Sequence, residues 1–75
     1  MGKRRGMGLW VRVDGRSACR VKLYTDKPRL GPSDAMRAVR IAAGLGSSGY
    51  VADEERAYRV TARGARLVRE EGTWA

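Results

Sequence analysis

The sequence contains no histidine, and Cys19 is its only cysteine. A single cysteine excludes a disulfide within the chain, and without histidine or further thiols a zinc site of the usual composition is excluded as well. Histidine is also the most common general base, and none of the four serines has a candidate base partner in the sequence. We therefore expect a protein that is not an enzyme and that holds no metal ion and no cofactor.

A long apolar segment is absent too. No apolar run approaches the roughly 18 residues that a membrane-spanning helix needs. The charged N-terminal residues are not followed by the apolar stretch of a signal peptide, and a lone thiol is typical of proteins in a reducing compartment. These features favour a cytoplasmic protein without a membrane partner.

The length of 75 residues limits the size of the core. A chain this short buries only about 60% of the surface that its unfolded form exposes, and neither a disulfide nor a metal ion adds stability here. We expect one small domain over residues 9–75, with self-association into a homodimer as one source of further stability.

Acidic residues are scarce in the first forty positions. That part of the chain has 11 Lys or Arg residues and 3 Asp or Glu residues, whereas residues 41–75 have 5 of each. The formal net charge of +8 therefore belongs to residues 1–40. A basic field on one half of a small protein favours a polyanionic partner such as a nucleic acid.

Two alternating segments around Asp14-Gly15 predict a β-hairpin over residues 9–24. Because side chains alternate with period two along a strand, only a loop with an odd number of residues brings the apolar side chains of both strands to one face. A three-residue loop pairs Leu9 with Val21 and places Cys19 on this inward face, where we expect a buried structural thiol. The outer face then carries aromatic and basic side chains, namely Trp10, Arg12, Arg20, Lys22 and Tyr24.

Exposed aromatic rings between basic side chains are typical of proteins that bind single-stranded nucleic acids, in which bases stack on the rings and phosphates contact the cations. A two-stranded ribbon also fits the major groove of DNA. The structural alternative is that Trp10 and Tyr24 cover a second layer of the protein, such as a C-terminal helix, with the basic side chains packed around them.

The N-terminal residues 1–8 contain three glycines and are expected to form a flexible arm. Clustered basic side chains on such an arm suit loose contact with phosphates. The arm adds three candidate nucleic-acid-binding residues, Lys3, Arg4 and Arg5.

The rest of the chain is predicted to form a helix, a second hairpin and a short second helix. The first helix covers residues 33–45 and is apolar around most of its surface, with a polar ridge of Arg37 and Arg40 that adds two more candidate binding residues. The hairpin covers residues 50–61, and the last helix runs to about Glu71. The predicted fold class is therefore α+β, with the order β-hairpin–helix–β-hairpin–helix (ββαββα).

The segment over residues 49–71 resembles part of a known family. It has a Gly-Tyr-Val strand, a short charged turn and a Tyr-Arg-Val-Thr strand, followed by a helix that opens with Ala-Arg-Gly. This order is similar to the wing and following helix of winged-helix DNA-binding regulators of the antibiotic-resistance-repressor and phenolic-acid-repressor type. The resemblance implies a winged-helix-like fold in which residues 50–60 form the wing and residues 33–45 enter the major groove, where Arg37 and Arg40 contact bases or phosphates.

These observations predict a small basic nucleic-acid-binding protein, with DNA preferred to RNA as the ligand. A phage- or plasmid-encoded accessory or regulatory protein, such as an excisionase or a repressor, would suit this size and charge. The alternative is a protein-interaction module or inhibitor whose basic face docks on an acidic surface of a host enzyme or nucleoprotein complex. In that case Trp10 would act as a buried hot spot of the interface.

Overall fold

In the part of the chain that the structure describes, five antiparallel strands form a single sheet, and one helix packs against one of its two faces. The computed structural model describes residues 5–25 and 29–70. In chain order the elements are β1 (Arg5–Val13), β2 (Cys19–Thr25), α1 (Pro32–Ala43), β3 (Gly49–Ala52), β4 (Arg56–Thr61) and β5 (Gly64–Glu70).

The strands do not lie side by side in chain order. The order across the sheet is β2-β1-β3-β4-β5, so β1 pairs with β2 on one side and with β3 on the other. The chain leaves β2 at one edge of the sheet, forms α1, and returns as β3 on the far side of β1. This crossover places the second half of the chain directly beside the first hairpin.

The predicted register of the first hairpin is confirmed. Leu9 pairs with Val21, as the three-residue loop requires. In the loop, the backbone N–H of Arg16 donates a hydrogen bond of 2.9 Å to the carbonyl of Val13. Gly15 has a φ of +80°, which glycine adopts without the steric cost that a side chain would add.

The core lies between the sheet and α1. The strands turn alternate side chains toward the helix, and α1 contributes Ala35, Ala38 and Val39, which are almost completely buried. Leu30 is fully buried just before the helix, and its carbonyl accepts hydrogen bonds from the side chains of Arg56 and Tyr58. The buried apolar side chains of the strands are Leu9, Val11, Val13, Val21, Leu23, Val51, Tyr58 and Val60.

The predicted fold class is wrong in its C-terminal part. Residues expected to form a second helix form β5, which pairs antiparallel with β4, so the order is ββαβββ instead of ββαββα. Gly64 has a φ of +138°, which lies far from the helical region. Ala65 and Leu67 alternate with Arg66 at the period of a strand. Pairing with β5 also satisfies the backbone groups of β4 that would otherwise form an open edge.

The expected winged-helix-like architecture is wrong for the same reason. The two strands of the expected wing are present as β3 and β4, but the part of the chain that the structure describes has no helix after them. The expected recognition helix is α1, which packs on the sheet. Of the expected arm, residues 1–4 lie outside the described residues, and residues 5–8 belong to β1.

Gly49 lies where β1 and β3 approach each other closely. A Cβ atom at this position would lie 2.5 Å from the carbonyl oxygen of Arg12 and 2.9 Å from the Cα of Val13. These are backbone atoms, so neither can move aside as a flexible side chain can. We predict that Gly49→Ala lowers the free energy of unfolding by about 1–3 kcal/mol, measured by urea denaturation.

Gly6→Ala is the matched control for this prediction. The heavy atoms nearest to its added Cβ would belong to the side chains of Lys22, at 2.6 Å from Cε, and Tyr24, at 3.2 Å from Cε1. Because the end of a lysine side chain is flexible, we expect a change within about 0.5 kcal/mol. Equal losses from the two substitutions would contradict the close approach of β1 and β3.

Candidate nucleic-acid interface

The helix covers one face of the sheet, and no described residue outside the sheet covers the other. We call this second surface the open face and define it by the outward aromatic and charged side chains of β1 to β4. It includes all five residues predicted for the outer face of the first hairpin. Its members are Trp10, Arg12, Arg20, Lys22, Tyr24, Tyr50 and Arg59.

Trp10 and Tyr24 are accessible on this surface. Their exposed fractions are 52% and 53%, so the alternative in which they cover a second layer is wrong for the part of the chain that the structure describes. Trp10 pairs across the strands with Arg20, whose guanidinium carbon lies 4.3 Å from the centroid of the Trp10 ring. The Lys22 ammonium lies 5.9 Å from the centroid of Tyr24. Both distances fall within the range of cation–π contacts.

Two glycines of β1 leave room for these basic side chains. A Cβ at Gly8 would lie 2.6 Å from a guanidinium nitrogen of Arg20, and a Cβ at Gly6 would lie 2.6 Å from Cε of Lys22. The side chains of β2 therefore extend over β1 instead of pointing away from the sheet. As a result, cations and rings lie in one layer on the open face.

A second group of contacts crosses the centre of the sheet. The register places Arg12 of β1 next to Tyr50 of β3, Tyr50 next to Arg59 of β4, and Arg59 next to Arg66 of β5. The guanidinium carbons of Arg12 and Arg59 lie 5.5 Å and 4.7 Å from the centroid of the Tyr50 ring. Tyr50 is 39% exposed. A third aromatic ring is thus held between two arginines on the same face.

One carboxylate lies among these cations. Asp14 accepts two hydrogen bonds of 2.7 Å from the guanidinium of Arg59. The hydrogen bond from Arg59 holds the pKa of the Asp14 carboxyl below its ordinary value, and the same contact raises the pKa of Arg59. The pair neutralises Arg59 in part. Within residues 5–25 and 29–70, the other cations of the open face form no ion pair with a carboxylate; these are Arg12, Arg20 and Lys22.

Of the remaining predicted site residues, Arg37 and Arg40 do not join this surface. Arg37 and Arg40 lie on α1, whose apolar side faces the sheet, so both arginines are on the opposite side of the molecule from the open face. Arg37 lies 3.9 Å from the buried carboxylate of Asp34. Lys3 and Arg4 lie outside the described residues, and Arg5 is the first residue of β1.

The expectation for Cys19 is wrong. The register places this residue opposite Val11, whose side chain points into the core, but the thiol is exposed. Cys19 is the first residue of β2, which is an edge strand, and the sheet ends there. It is therefore not the buried structural thiol that the alternation of side chains predicts.

Sequence reasoning missed Tyr50 and Arg59. Both lie in the second hairpin, and the alternation of that hairpin alone assigns them to one outward face. Nothing local shows that this face continues the outer face of the first hairpin, because that depends on the pairing of β1 with β3 across about 40 residues of chain. The missed residues are joined to the predicted ones by a long-range contact.

Comparison of the chain with family models, with curated proteins and with solved structures gives no significant match. Among the described residues, no helix is long and apolar enough to cross a membrane. No group of three or more potential metal-ligating side chains occurs in the same part of the chain. The open face is therefore the feature of the molecule that bears on its function.

Proposed function

We propose that this protein binds single-stranded nucleic acid on the open face of its sheet. The observation that carries the proposal is the joint exposure of three aromatic rings, Trp10, Tyr24 and Tyr50, each in contact with a basic side chain. Bases stack on such rings irrespective of their identity, and cations beside the rings contact the phosphates.

The width of the sheet favours a single strand over a duplex. Neighbouring strands lie about 4.8 Å apart, so five strands extend about 19 Å from edge to edge. The major groove of B-DNA is only about 12 Å wide. A separate two-stranded ribbon fits this groove, but here β1 also pairs with β3, so the first hairpin cannot enter the groove without the rest of the sheet.

The contacts on the open face suggest how each residue acts. The guanidinium of Arg20 lies over Trp10. A base can stack on that guanidinium, or it can displace the guanidinium and stack directly on the indole ring. A stacked guanidinium still has N–H groups at its edge for a phosphate. Lys22 contributes a point charge beside Tyr24. No covalent chemistry is involved, so the protein acts as a binding module and not as an enzyme.

Fluorescence anisotropy with a labelled 15-nucleotide DNA strand, the corresponding RNA and the corresponding duplex tests this proposal. The three unpaired cations of the open face predict a slope of about −2 for log affinity against log salt. We expect both single strands to bind more tightly than the duplex at about 50 mM salt. Absence of binding to all three ligands, or tighter binding of the duplex, would contradict the proposal.

Asp14→Asn is predicted to strengthen binding. Among residues 5–25 and 29–70, Asp14 is the only carboxylate that is paired with a cation of the open face, and the substitution frees Arg59 for a phosphate. One additional phosphate contact on a single strand corresponds to about a fivefold gain in affinity at 100 mM salt, measured by the same titration. The exposed Glu54 is the matched control, because Glu54→Gln removes a carboxylate from the β3–β4 turn and frees no cation that the structure pairs with it. Weaker binding by Asp14→Asn would contradict the assignment of Arg59.

The biological setting belongs to the same proposal. A small basic strand-binding module suits an accessory or regulatory protein of DNA or RNA metabolism in the cytoplasm, and the exposed unpaired thiol of Cys19 agrees with a reducing compartment.

One observation favours a second candidate function. Trp, Tyr and Arg are the residues most enriched in protein–protein hot spots, and all members of the open face except Lys22 are of these three types. Tight, salt-insensitive binding to an acidic protein, with no binding to any nucleic acid, would select this interaction module instead.

A further inference from the structure

A concave site lies at the far edge of the sheet, where β4 turns into β5. Its volume is about 440 Å³, and it is lined by Arg59, Thr61, Arg63, Gly64, Ala65 and Arg66. Three of these six residues are arginines. None of the predicted binding residues whose side chains the structure describes lies in it, because the sequence predicted a helix for this segment.

The turn between the two strands brings the arginines together. The register places Arg66 directly beside Arg59, and Thr61 directly beside Gly64, so only two residues connect the strands. The hydroxyl oxygen of Thr61 accepts a hydrogen bond of 3.2 Å from the backbone N–H of Arg63. Arg63 in the turn and Arg66 in the strand therefore line the same hollow.

The charge of this site is only partly neutralised. Arg59 is paired with Asp14. Arg63 and Arg66 form no ion pair with a carboxylate among the described residues. Two uncompensated guanidinium groups remain, and guanidinium groups bind phosphate oxygens through paired N–H donors.

The charge and the position of the site favour a phosphate monoester over a phosphodiester. A monoester carries a charge of about −1.5 to −2 at pH 7, whereas each phosphodiester of a nucleic acid carries one negative charge. β5 is the edge strand of the described sheet, so a nucleic-acid strand that crosses Trp10 and Tyr50 reaches the edge of that sheet beside Arg66.

We infer that this hollow, the Arg63–Arg66 site, binds the terminal phosphate of the strand that lies on the open face. The inference rests on the proposed function, since the phosphate belongs to the end of the strand that the open face is proposed to bind. Arg63 and Arg66 hold the phosphate oxygens, and Arg59, which also lines the hollow, contacts the aromatic ring of Tyr50 and so connects this site to the open face. The protein would then prefer strands that end in a phosphate to strands that end in hydroxyl groups.

The test compares three DNA strands of one sequence, with a phosphate at the 5′ end, with a phosphate at the 3′ end, and with hydroxyl groups at both ends. We expect one of the phosphorylated strands to bind about fivefold to tenfold more tightly than the hydroxyl strand at 100 mM salt. Arg63→Gln should reduce that ratio to about twofold or less and leave the affinity for the hydroxyl strand unchanged. Arg40→Gln, an exposed arginine on α1, should preserve the ratio.

The outcomes separate this inference from the proposed function. Equal binding of all three strands overturns the terminal-phosphate site and leaves strand binding intact. If no strand binds, a titration with inorganic phosphate, followed by NMR signals of the arginine side chains, decides the matter. Phosphate-dependent shifts of Arg63 without shifts of Arg40 would support a phosphate-binding site. They would also show that the phosphate it binds does not belong to a nucleic-acid strand. Absence of any shift would overturn the site itself.

Discussion

Replacement of Trp10 and Tyr50 together by alanine is expected to weaken binding to single-stranded DNA by at least about 30-fold. Each stacked base is worth about 1–3 kcal/mol in alanine substitutions, and these rings lie on neighbouring strands of the open face. Neither substitution removes a charge, so the slope of log affinity against log salt should stay the same. The measurement is an anisotropy titration across a salt series.

Two controls separate stacking from a general loss of structure. Trp10→Phe with Tyr50→Phe keeps two aromatic faces and should recover most of the affinity. Leu45→Ala removes a large apolar side chain that is 84% exposed and lies just after α1, and it should leave binding unchanged. Similar losses in the phenylalanine and alanine variants would show that the rings do not act by stacking.

Replacement of Arg12 and Arg20 by alanine is expected to weaken binding to the same strand by about 25-fold at 100 mM salt. Each contact with a phosphate of a single strand releases about 0.7 counterion. Losing two contacts should therefore also make the salt slope shallower by about 1.4. This second signature distinguishes the arginine variant from the aromatic variant, whose slope should not change.

Arg37 and Arg40 provide the matched control for the arginine prediction. Their replacement by alanine removes the same charge from the opposite side of the molecule, where α1 holds them away from the open face. We expect less than a twofold change, measured in parallel with urea denaturation of both variants. Equal losses from the two pairs would mean that binding follows net charge and not the open face.

The first hairpin shows which features were predictable from the sequence. Its register follows from local alternation and from the odd length of the loop, and Leu9 pairs with Val21 as expected. The helix was predicted over residues 33–45 and is found at Pro32–Ala43. In both cases the deciding information lies within a few residues of the element.

The last strand shows where such reasoning fails. In residues 64–70, basic residues stand between short apolar segments, and this composition is also compatible with a helix. Whether this segment forms a strand or a helix depends on the free hydrogen-bonding edge of β4 and on the backbone conformation of Gly64. A local sequence pattern reveals neither of them. Tertiary pairing therefore determines the outcome.

The candidate site was predictable in part for the same physical reason. Trp10, Arg20 and their neighbours share a hairpin, so their common face follows from period two. Tyr50 and Arg59 join them only through the pairing of β1 with β3. The basic surplus of residues 1–40 does not indicate Arg59 or Arg66, because both belong to the half of the chain with no net charge.

The change in Trp10 fluorescence caused by a bound strand tests the central claim most directly. The chain has two tryptophans, and Trp74→Phe leaves Trp10 as the only one. Addition of single-stranded DNA should change this emission in proportion to the bound fraction measured by anisotropy, because a base either replaces Arg20 on the indole ring or stacks on the guanidinium that contacts the ring. A strand that binds to saturation without changing the Trp10 emission would contradict the assignment of the open face as the binding surface.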